Sequence, residues 1–454
     1  MTIVSVFLFY PSAAHPSVIF HIFRHAIIVG FIYLAMVIDP CVFTIFLAIL
    51  SIIEYSRKCN KRSLAALHIT ITVGIWLSSP PSDLRPLRYV LLLLIRTSIP
   101  FMAILLDYHI IKKIGLTSRL TDLVFPFVLT GSVQLVSILD PMGIAFHPSS
   151  YCHDYPDFNF VPLRFGNASV LVFLISFLVV STSRWRNTHV FPQVMFKFVF
   201  LVVPTLIFMV YFARLFWERN NQVYAFQGFS SSYSNCSSFI NKLSSLNGVP
   251  HVVSVSKVEQ KCTQEEEAII NAFTKASVVI IAHIRNDIHV FLNGTSTSFS
   301  IANDSIIRFG SQIGRFTVLV DRQFLKESVF TKYDSDIIVS LAGRKNDEMN
   351  DFPKKTAPVI TQTTGANLFH ISLDGSSFFC NSYGYFAFVE RISESFMHTT
   401  KISLNQFSYS KIRYLSALIF STIMPIPFLL LSFMPTHIIE KVSAFASFCL
   451  KIKD

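Results

Sequence analysis

Phe212-Ala-Arg-Leu-Phe-Trp217-Glu-Arg-Asn-Asn-Gln-Val-Tyr-Ala-Phe-Gln227 is the stretch at which this chain changes solvent. Up to Trp217 the sequence reads almost wholly as membrane. From about Glu218 to Arg413 it turns polar, and one more apolar run follows. A large globular domain is therefore inserted between a block of membrane spans and a last span. The division predicted is a membrane domain over 1–217, an extramembrane domain over 218–412, and a last span with a short tail over 413–454.

Composition supports that division. The 454 residues are 52% hydrophobic and only 14% charged, with 46 Phe, whereas a soluble domain carries about a quarter charged residues. Apolar runs near 20 residues match the bilayer core and read as spanning helices. They fall at Ser17–Val37, Cys41–Tyr55, Leu64–Leu77, Tyr89–Leu106, Leu120–Leu139, Ala168–Thr182, Met195–Trp217 and Tyr414–Pro435, about eight spans in all. The start of the chain lacks a basic region and a small-residue cleavage site, so the first span is read as the targeting signal.

The net charge of +11 is not a nucleic-acid footprint, because Lys and Arg gather in short loops. Arg57, Lys58, Lys61 and Arg62 follow the second span; Lys112, Lys113 and Arg119 follow the fourth. Arg184, Arg186 and Lys197 follow the sixth, and Lys441, Lys451 and Lys453 lie in the tail. Basic loops stay on the cytoplasmic side, so both termini are expected to be cytoplasmic and the large domain lumenal. Arg85 and Arg88 run against that pattern. Arg24, His25, His68 and Arg96 fall inside predicted spans, where ionisable groups are costly and often functional. His147, Cys152, His153, Asp154 and Asp157 in the loop 140–167 match no zinc spacing, and neither a metal nor a cofactor is expected.

Within the outer domain, short β-type runs alternate with helical stretches. Gln222–Gln227 reads as a strand, Ser237–Leu246 as a helix, and Gln264–Lys275 as a helix with Glu265, Glu266 and Glu267 at its start, where the dipole favours negative charge. Ser277-Val-Val-Ile-Ile-Ala282 is a buried strand. Further strands are read at His289–Leu292, Arg315–Val320, Ile337–Leu341, Asn367–Leu373 and Phe378–Cys380. The alternation predicts an α/β sandwich.

Taken in order, these segments resemble the apolipoprotein N-acyltransferases, membrane enzymes with a nitrilase (carbon–nitrogen hydrolase) domain before the last span. Val223-Tyr-Ala-Phe-Gln227-Gly228 stands where the family opens its domain with V-A-L-V-Q-G. Ala276-Ser-Val-Val-Ile-Ile-Ala-His283 is similar to the strand that ends in the triad glutamate, and Asn303-Asp-Ser-Ile-Ile-Arg-Phe309-Gly310 to K-x-H-L-V-P-F-G. Leu319-Val-Asp321-Arg-Gln-Phe324 takes the place of C-Y-E-x-x-F, and Ser335-Asp-Ile-Ile-Val-Ser340 that of A-D-L-L-V-N. Gly375, Ser377, Asn381 and Gly384 meet the closing G-x-S-x-x-x-(D/N)-x-x-G. The resemblance spans most of the domain. It implies a multi-pass α-helical membrane protein carrying an α/β domain of nitrilase-like αββα layers, with membrane phospholipid as partner.

The implied chemistry is missing. The nitrilase reaction needs a thiolate nucleophile, a carboxylate to shuttle its proton and a lysine to stabilise the oxyanion. The resemblance puts His283, Asn303 and Leu319 at those positions, with Asp321 two residues beyond. Leucine is not a nucleophile in any protonation state. A relocated nucleophile would have to be Cys262, beside a helix N-terminus that lowers a thiol's pKa, or Cys380 on a late strand. Of the 7 Cys, Cys152, Cys236, Cys262 and Cys380 lie on the outer side, where two disulfides, or one with leftover thiols, are expected. Sequons at Asn235, Asn293 and Asn303 suit a glycoprotein of the endoplasmic reticulum or another endomembrane, while Asn167 lies close to the membrane.

Three readings follow from the sequence. The first is a catalytically degenerate acyltransferase-like protein serving as a lipid-binding or scaffolding subunit. The second is an active acyltransferase or amidase with a relocated nucleophile. The third is a transporter with a large lumenal domain, motivated by Arg24, Arg96 and the intramembrane His residues.

Overall fold

The computed structural model describes residues 18–38, 42–78, 86–115, 121–139, 168–188, 223–244, 252–274, 278–284, 287–300, 306–311, 314–320, 335–342, 351–372, 376–391, 396–403, 419 and 425–450. The predicted seventh span, the loop 140–167, Asn303, Asp321 and Gly375 lie outside them.

Among the described residues, six apolar helices come first. They are α1 (Val18–Tyr33, running on into a π-helical turn Leu34–Ile38), α2 (Val42–Lys58), α3 (Lys61–Ser78), α4 (Pro86–Ile114), α5 (Thr121–Leu139) and α6 (Ala168–Thr188). By length and composition Tyr89–Ile114 is long and apolar enough to cross a membrane, while His21–Val37 and Thr121–Ser137 are shorter apolar helices. Large apolar side chains point outward as well as inward. Ile22, Phe43, Ile69, Leu87 and Leu91 are exposed, while Ile32, Ile53, Leu67, Ile104 and Val124 pack together inside. At Gly74 the helices α1 and α3 meet so closely that an added Cβ would lie 2.9 Å from Ile32 Cδ1.

After the α/β domain the chain returns to this block. Helices α10 (Pro425–Phe433) and α11 (Thr436–Leu450) put Phe428, Leu431 and Ile439 into its core. Residues 436–450 are thus helical.

Between them lie two six-stranded sheets. Sheet A takes the order β12-β1-β2-β3-β4-β5 and sheet B the order β11-β10-β9-β8-β7-β6. Sheet A uses β1 (Val223–Tyr233), β2 (Val252–Val258), β3 (Val278–Ile284), β4 (Asp287–Leu292), β5 (Thr295–Ser300) and β12 (Phe396–Ser403). Sheet B uses β6 (Ile306–Ser311), β7 (Gly314–Val320), β8 (Ile337–Ala342), β9 (Asn367–Ser372), β10 (Ser376–Cys380) and β11 (Phe386–Arg391). In each sheet two successive parallel pairings are flanked by antiparallel ones, so β12-β1-β2-β3-β4-β5 and β6-β7-β8-β9-β10-β11 repeat one pattern.

Side-chain alternation along strands sorts the residues into layers. Val279, Ile281, Ile288 and Val290 of sheet A meet Phe316, Val318, Val320, Val339 and Phe369 of sheet B in one core. On the far side of sheet A, α7 (Cys236–Ser244) and α8 (Gln264–Phe273) cover Ile280, Ala282, Ile284 and Phe291. On the far side of sheet B, α9 (Asp351–Thr364) lays Ala357 and Ile360 on Leu319, Ile338, Leu368 and Phe378. Two outer helical layers therefore enclose two sheets.

Candidate functional site

At the triad-equivalent positions, alternation puts His283 and Leu319 on different layers. Leu319 is 0% exposed and sits between sheet B and α9, with Ile338, Leu368, Phe378 and Cys380. Its neighbours Val318 and Val320 face the core between the sheets. His283 shares the parity of Val279 and Ile281 at the end of β3, pairs with Lys257 and Ile288, and is only half-buried. Leu319 is thus sealed in apolar packing on the side of sheet B away from His283.

The relocated nucleophiles fare no better, for two different reasons. Cys262 is disulfide-bonded to Cys236, so its sulfur is not free to attack. The bond ties the start of α7 to the residue before Thr263, the N-cap of α8. There the Thr263 hydroxyl accepts the Glu266 N–H, the Thr263 N–H donates to Glu266 Oε2 at 2.9 Å, and Ser237 Oγ donates to Glu266 Oε1 at 2.8 Å. The hydrogen bond from the Thr263 backbone, helped by that from Ser237, holds the Glu266 carboxyl below the usual carboxylate range. Cys380 remains a thiol but is fully buried under α9, 3.6 Å from Thr361 Oγ1, and burial pushes its pKa up to about 12. A thiol so placed is not ionised at neutral pH and has no path to a substrate.

Sequence reasoning missed a polar pair in the same layer. Ser340 Oγ lies 3.1 Å from His370 Nδ1, both are buried, and the imidazole stacks on Phe378. Burial lowers the His370 pKa to about 3, so the ring is neutral. The signal was present as single polar residues within Ile337-Ile-Val-Ser-Leu341 and Leu368-Phe-His-Ile371. The pair is enclosed by α9 and the sheet, which suits a structural role. Of the closing motif, Ser377 is buried and Asn381 Oδ1 accepts the N–H groups of Tyr383 and Tyr385 in the turn after β10. Gly384 has φ +91° and packs against the Gln362 side chain.

The sequons differ in their surroundings. Asn293 is exposed at φ 51° and with Gly294 at φ 79° makes the tight turn between β4 and β5. The Asn-Gly dipeptide between strands was the available signal for that hairpin. Asn235 is half-buried beside the disulfide, and its Oδ1 accepts the Ser238 N–H at the start of α7.

Polar side chains also meet within the helical block. At one end, Arg57 forks onto Asp107 through two 3.0 Å hydrogen bonds, with side-chain exposures of 1% and 0%, and also donates to Thr121 O. Arg184 pairs with Asp122, and Arg186 and Lys58 approach Glu54. Lys113 Nζ donates to Met434 O. Arg57 is therefore a buried bridge at the end of α2 rather than a loop charge. Nearby, Tyr55 Oη lies 3.1 Å from His21 Nδ1 and 3.0 Å from His25 Nε2, and Thr70 Oγ1 lies 2.6 Å from His25 Nδ1. Further along the block, a cavity of about 210 Å³ opens between α1 and α5, walled by side chains such as Ile49, Ile71, Phe101 and Leu129, with Arg96 in its lining. Among the described residues no group of three or more His, Cys, Asp or Glu is placed to hold a metal ion.

No protein-family model matches the chain, and no curated protein matches it. A structural neighbour is a CN-hydrolase superfamily protein from Xanthomonas campestris, solved with an arsenic adduct in its active site. It aligns over 43% of this chain and 97% of its own at 10% identity, with a TM-score of 0.31. A likeness at that score assigns neither activity nor residues to this chain.

Proposed function

We propose that this chain is a multi-pass endomembrane protein of N-acyltransferase-like layout whose nitrilase-like lumenal domain has lost its catalysis, and that it serves as a lipid-binding or scaffolding subunit. The observation that carries the reading is Leu319, apolar and sealed beneath α9 where the resemblance asks for a nucleophile. Cys262 is consumed in a disulfide and Cys380 is enclosed, so no described cysteine of the domain stands ready in their stead. The Cys236–Cys262 bond also suits an oxidising lumen.

The orientation draws support from the helical block. Ion pairs and hydrogen bonds gather Arg57, Arg184, Arg186 and Lys113, which come from three separate basic segments, toward the end that also receives Met434. Basic residues gathered at one end favour the cytoplasmic side. The outward-facing Ile22, Phe43, Ile69 and Leu87 suit a lipid surroundings.

Detergent-purified protein mixed with phospholipid bearing a clickable acyl chain tests the proposal. The expected result is retention of lipid with no hydroxylamine-sensitive label on the polypeptide. A thioester label would overturn it and make the protein an enzyme with a rebuilt site. Leu319→Cys alone is expected to restore no acyl transfer, because His283 and Asn303 still replace the carboxylate and the lysine.

A further inference from the structure

We infer that His21, His25 and Tyr55 hold one divalent first-row transition-metal ion, Cu(II) foremost, as a clip between α1 and α2. The inference goes beyond the lipid-binding role proposed above and stands independently of it. His21 and His25 are four residues apart on α1 and so share one face of that helix. From α2 the buried Tyr55 reaches both, its hydroxyl oxygen lying 3.1 Å from His21 Nδ1 and 3.0 Å from His25 Nε2. Because the third member is a phenol, this is not a group of three His, Cys, Asp or Glu side chains. No member has to be free of partners, since the ion would take the place of the hydrogen bonds that the three make with one another.

The hydrogen bonds around His25 aim its lone pair. Thr70 Oγ1 lies 2.9 Å from Ala66 O, which only accepts, and 2.6 Å from His25 Nδ1. A hydroxyl has one proton to give, so every contact is made when Thr70 donates to Ala66 O and accepts from the His25 Nδ1–H. That tautomer turns the bare Nε2 of His25 on the Tyr55 hydroxyl. An imidazole whose far N–H is held by a polar group is the usual arrangement of a metal ligand, and Thr70 supplies that hold. The series ends on a carbonyl, which takes up no proton, so it orients a donor rather than carrying protons across the block. On binding, the Tyr55 hydroxyl proton leaves to water, the His21 ring keeps its proton on Nε2, and one metal–oxygen and two metal–nitrogen bonds form. At bond lengths of about 2.0–2.1 Å, donor separations of 3.0 and 3.1 Å subtend about 95° at the ion. That angle suits a tetragonal site better than a tetrahedral one, and nitrogen and oxygen donors so arranged favour Cu(II) or Ni(II) over Zn(II). The charged groups around the set are Arg24, whose guanidinium carbon lies 5.9 Å from the Tyr55 ring centroid, and Glu54 and Arg186, which both act on Arg24.

The test uses the full-length protein in detergent, freed of any affinity tag, stripped with a chelator and titrated with Cu(II). The expected result is an axial electron paramagnetic resonance spectrum split by two nitrogens, together with a phenolate-to-copper charge-transfer band. His21→Gln with His25→Gln is expected to lose one copper per chain and both signals. Tyr55→Phe, which keeps the ring, is expected to lose the band, and it serves where the double variant does not fold. Thr70→Val touches no metal and is expected to weaken binding by about 10–100-fold while the band remains. Copper binding unchanged in the double variant, as it would be if His147, Cys152 and His153 held the ion, overturns the inference. So does a spectrum without nitrogen splitting, a band that survives Tyr55→Phe, or parental affinity in Thr70→Val. Monodisperse elution and a metal-free unfolding midpoint equal to the parent's establish that a variant is folded. Lipid retention and the hydroxylamine-sensitive label play no part in these readouts, so this result is read separately from the function proposed above.

Discussion

Breaking the Cys236–Cys262 bond removes a cross-link of sequence separation 26 on the outer face of sheet A. Its effect follows from the unfolded chain. In the chain-entropy account, a closed loop of that length restricts the denatured ensemble by about 12 cal/mol/K, or about 3.5 kcal/mol at 25 °C. Both half-cystines are buried with Phe239, Val258, Ile270 and Ile280, so the folded state should keep its packing when the bond is opened. For a domain of this size 1 kcal/mol moves the midpoint by about 2–4 °C, so the reduced protein should unfold about 7–14 °C earlier. The assay compares thermal unfolding of the full chain in detergent with and without reductant. Cys236→Ala with Cys262→Ala should match the reduced protein and respond no further to reductant. A shift below about 2 °C, or titration of both thiols in denatured protein never exposed to reductant, would refute the reasoning. An acyl adduct on Cys262 would refute it more directly.

Asp107→Asn should destabilise the helical block by about 3–5 kcal/mol by stranding the buried Arg57 charge; adding Arg57→Met should recover much of the loss in a double-mutant cycle read by thermal unfolding. His370 is depressed from 6.5 to about 3, so the neutral ring favours folding fully above pH 6.5 and the contribution fades as pH falls from 6.5 toward 3. Denaturant unfolding should show up to ~1.4 kcal/mol lost per pH unit across that window, and His370→Gln should flatten the slope. Asn293→Gln should remove one endoglycosidase-sensitive gel shift, since Asn293 is exposed in its turn; an unchanged mobility would mean that this sequon carries no sugar.

Much of the α/β domain was legible because buried parallel strands leave unbroken β-branched runs. Val278–Ile284 and Ile337–Leu341 needed only their apolar continuity. The helix α9 was not readable. Its sequence carries Pro353, Pro358 and four Thr, poor helix formers, and it forms because Ala357 and Ile360 have sheet B to lie on. Strand β5 is hidden for the opposite reason: Thr295-Ser-Thr-Ser-Phe-Ser300 is an exposed edge with little apolar content. At the site, the sequence singled out His283, Asn303 and Leu319 but assigned no layer to any of them. That Leu319 and His283 face different layers depends on strand parity within the assembled sheets. Likewise Cys262 and Cys236 meet only because two helix starts converge, which spacing alone does not reveal. Apolar helices were visible from composition, yet the Arg57–Asp107 fork joins residues 50 apart, and a loop charge and a buried bridge look alike in one dimension.

The hydrogen bond from Lys113 to Met434 joins residues 321 positions apart, and Phe428, Leu431 and Ile439 complete a core that the first helices began. This sets an order on biogenesis. At about 5–20 residues per second, the ribosome needs roughly 15–65 s to travel from one partner to the other. Throughout that interval the early helices stand with a groove still unfilled while the sheets assemble elsewhere. Until its final turns emerge the core lacks Phe428, Leu431 and Ile439, so any stop codon before Pro425 would leave that part of the helical block unfilled.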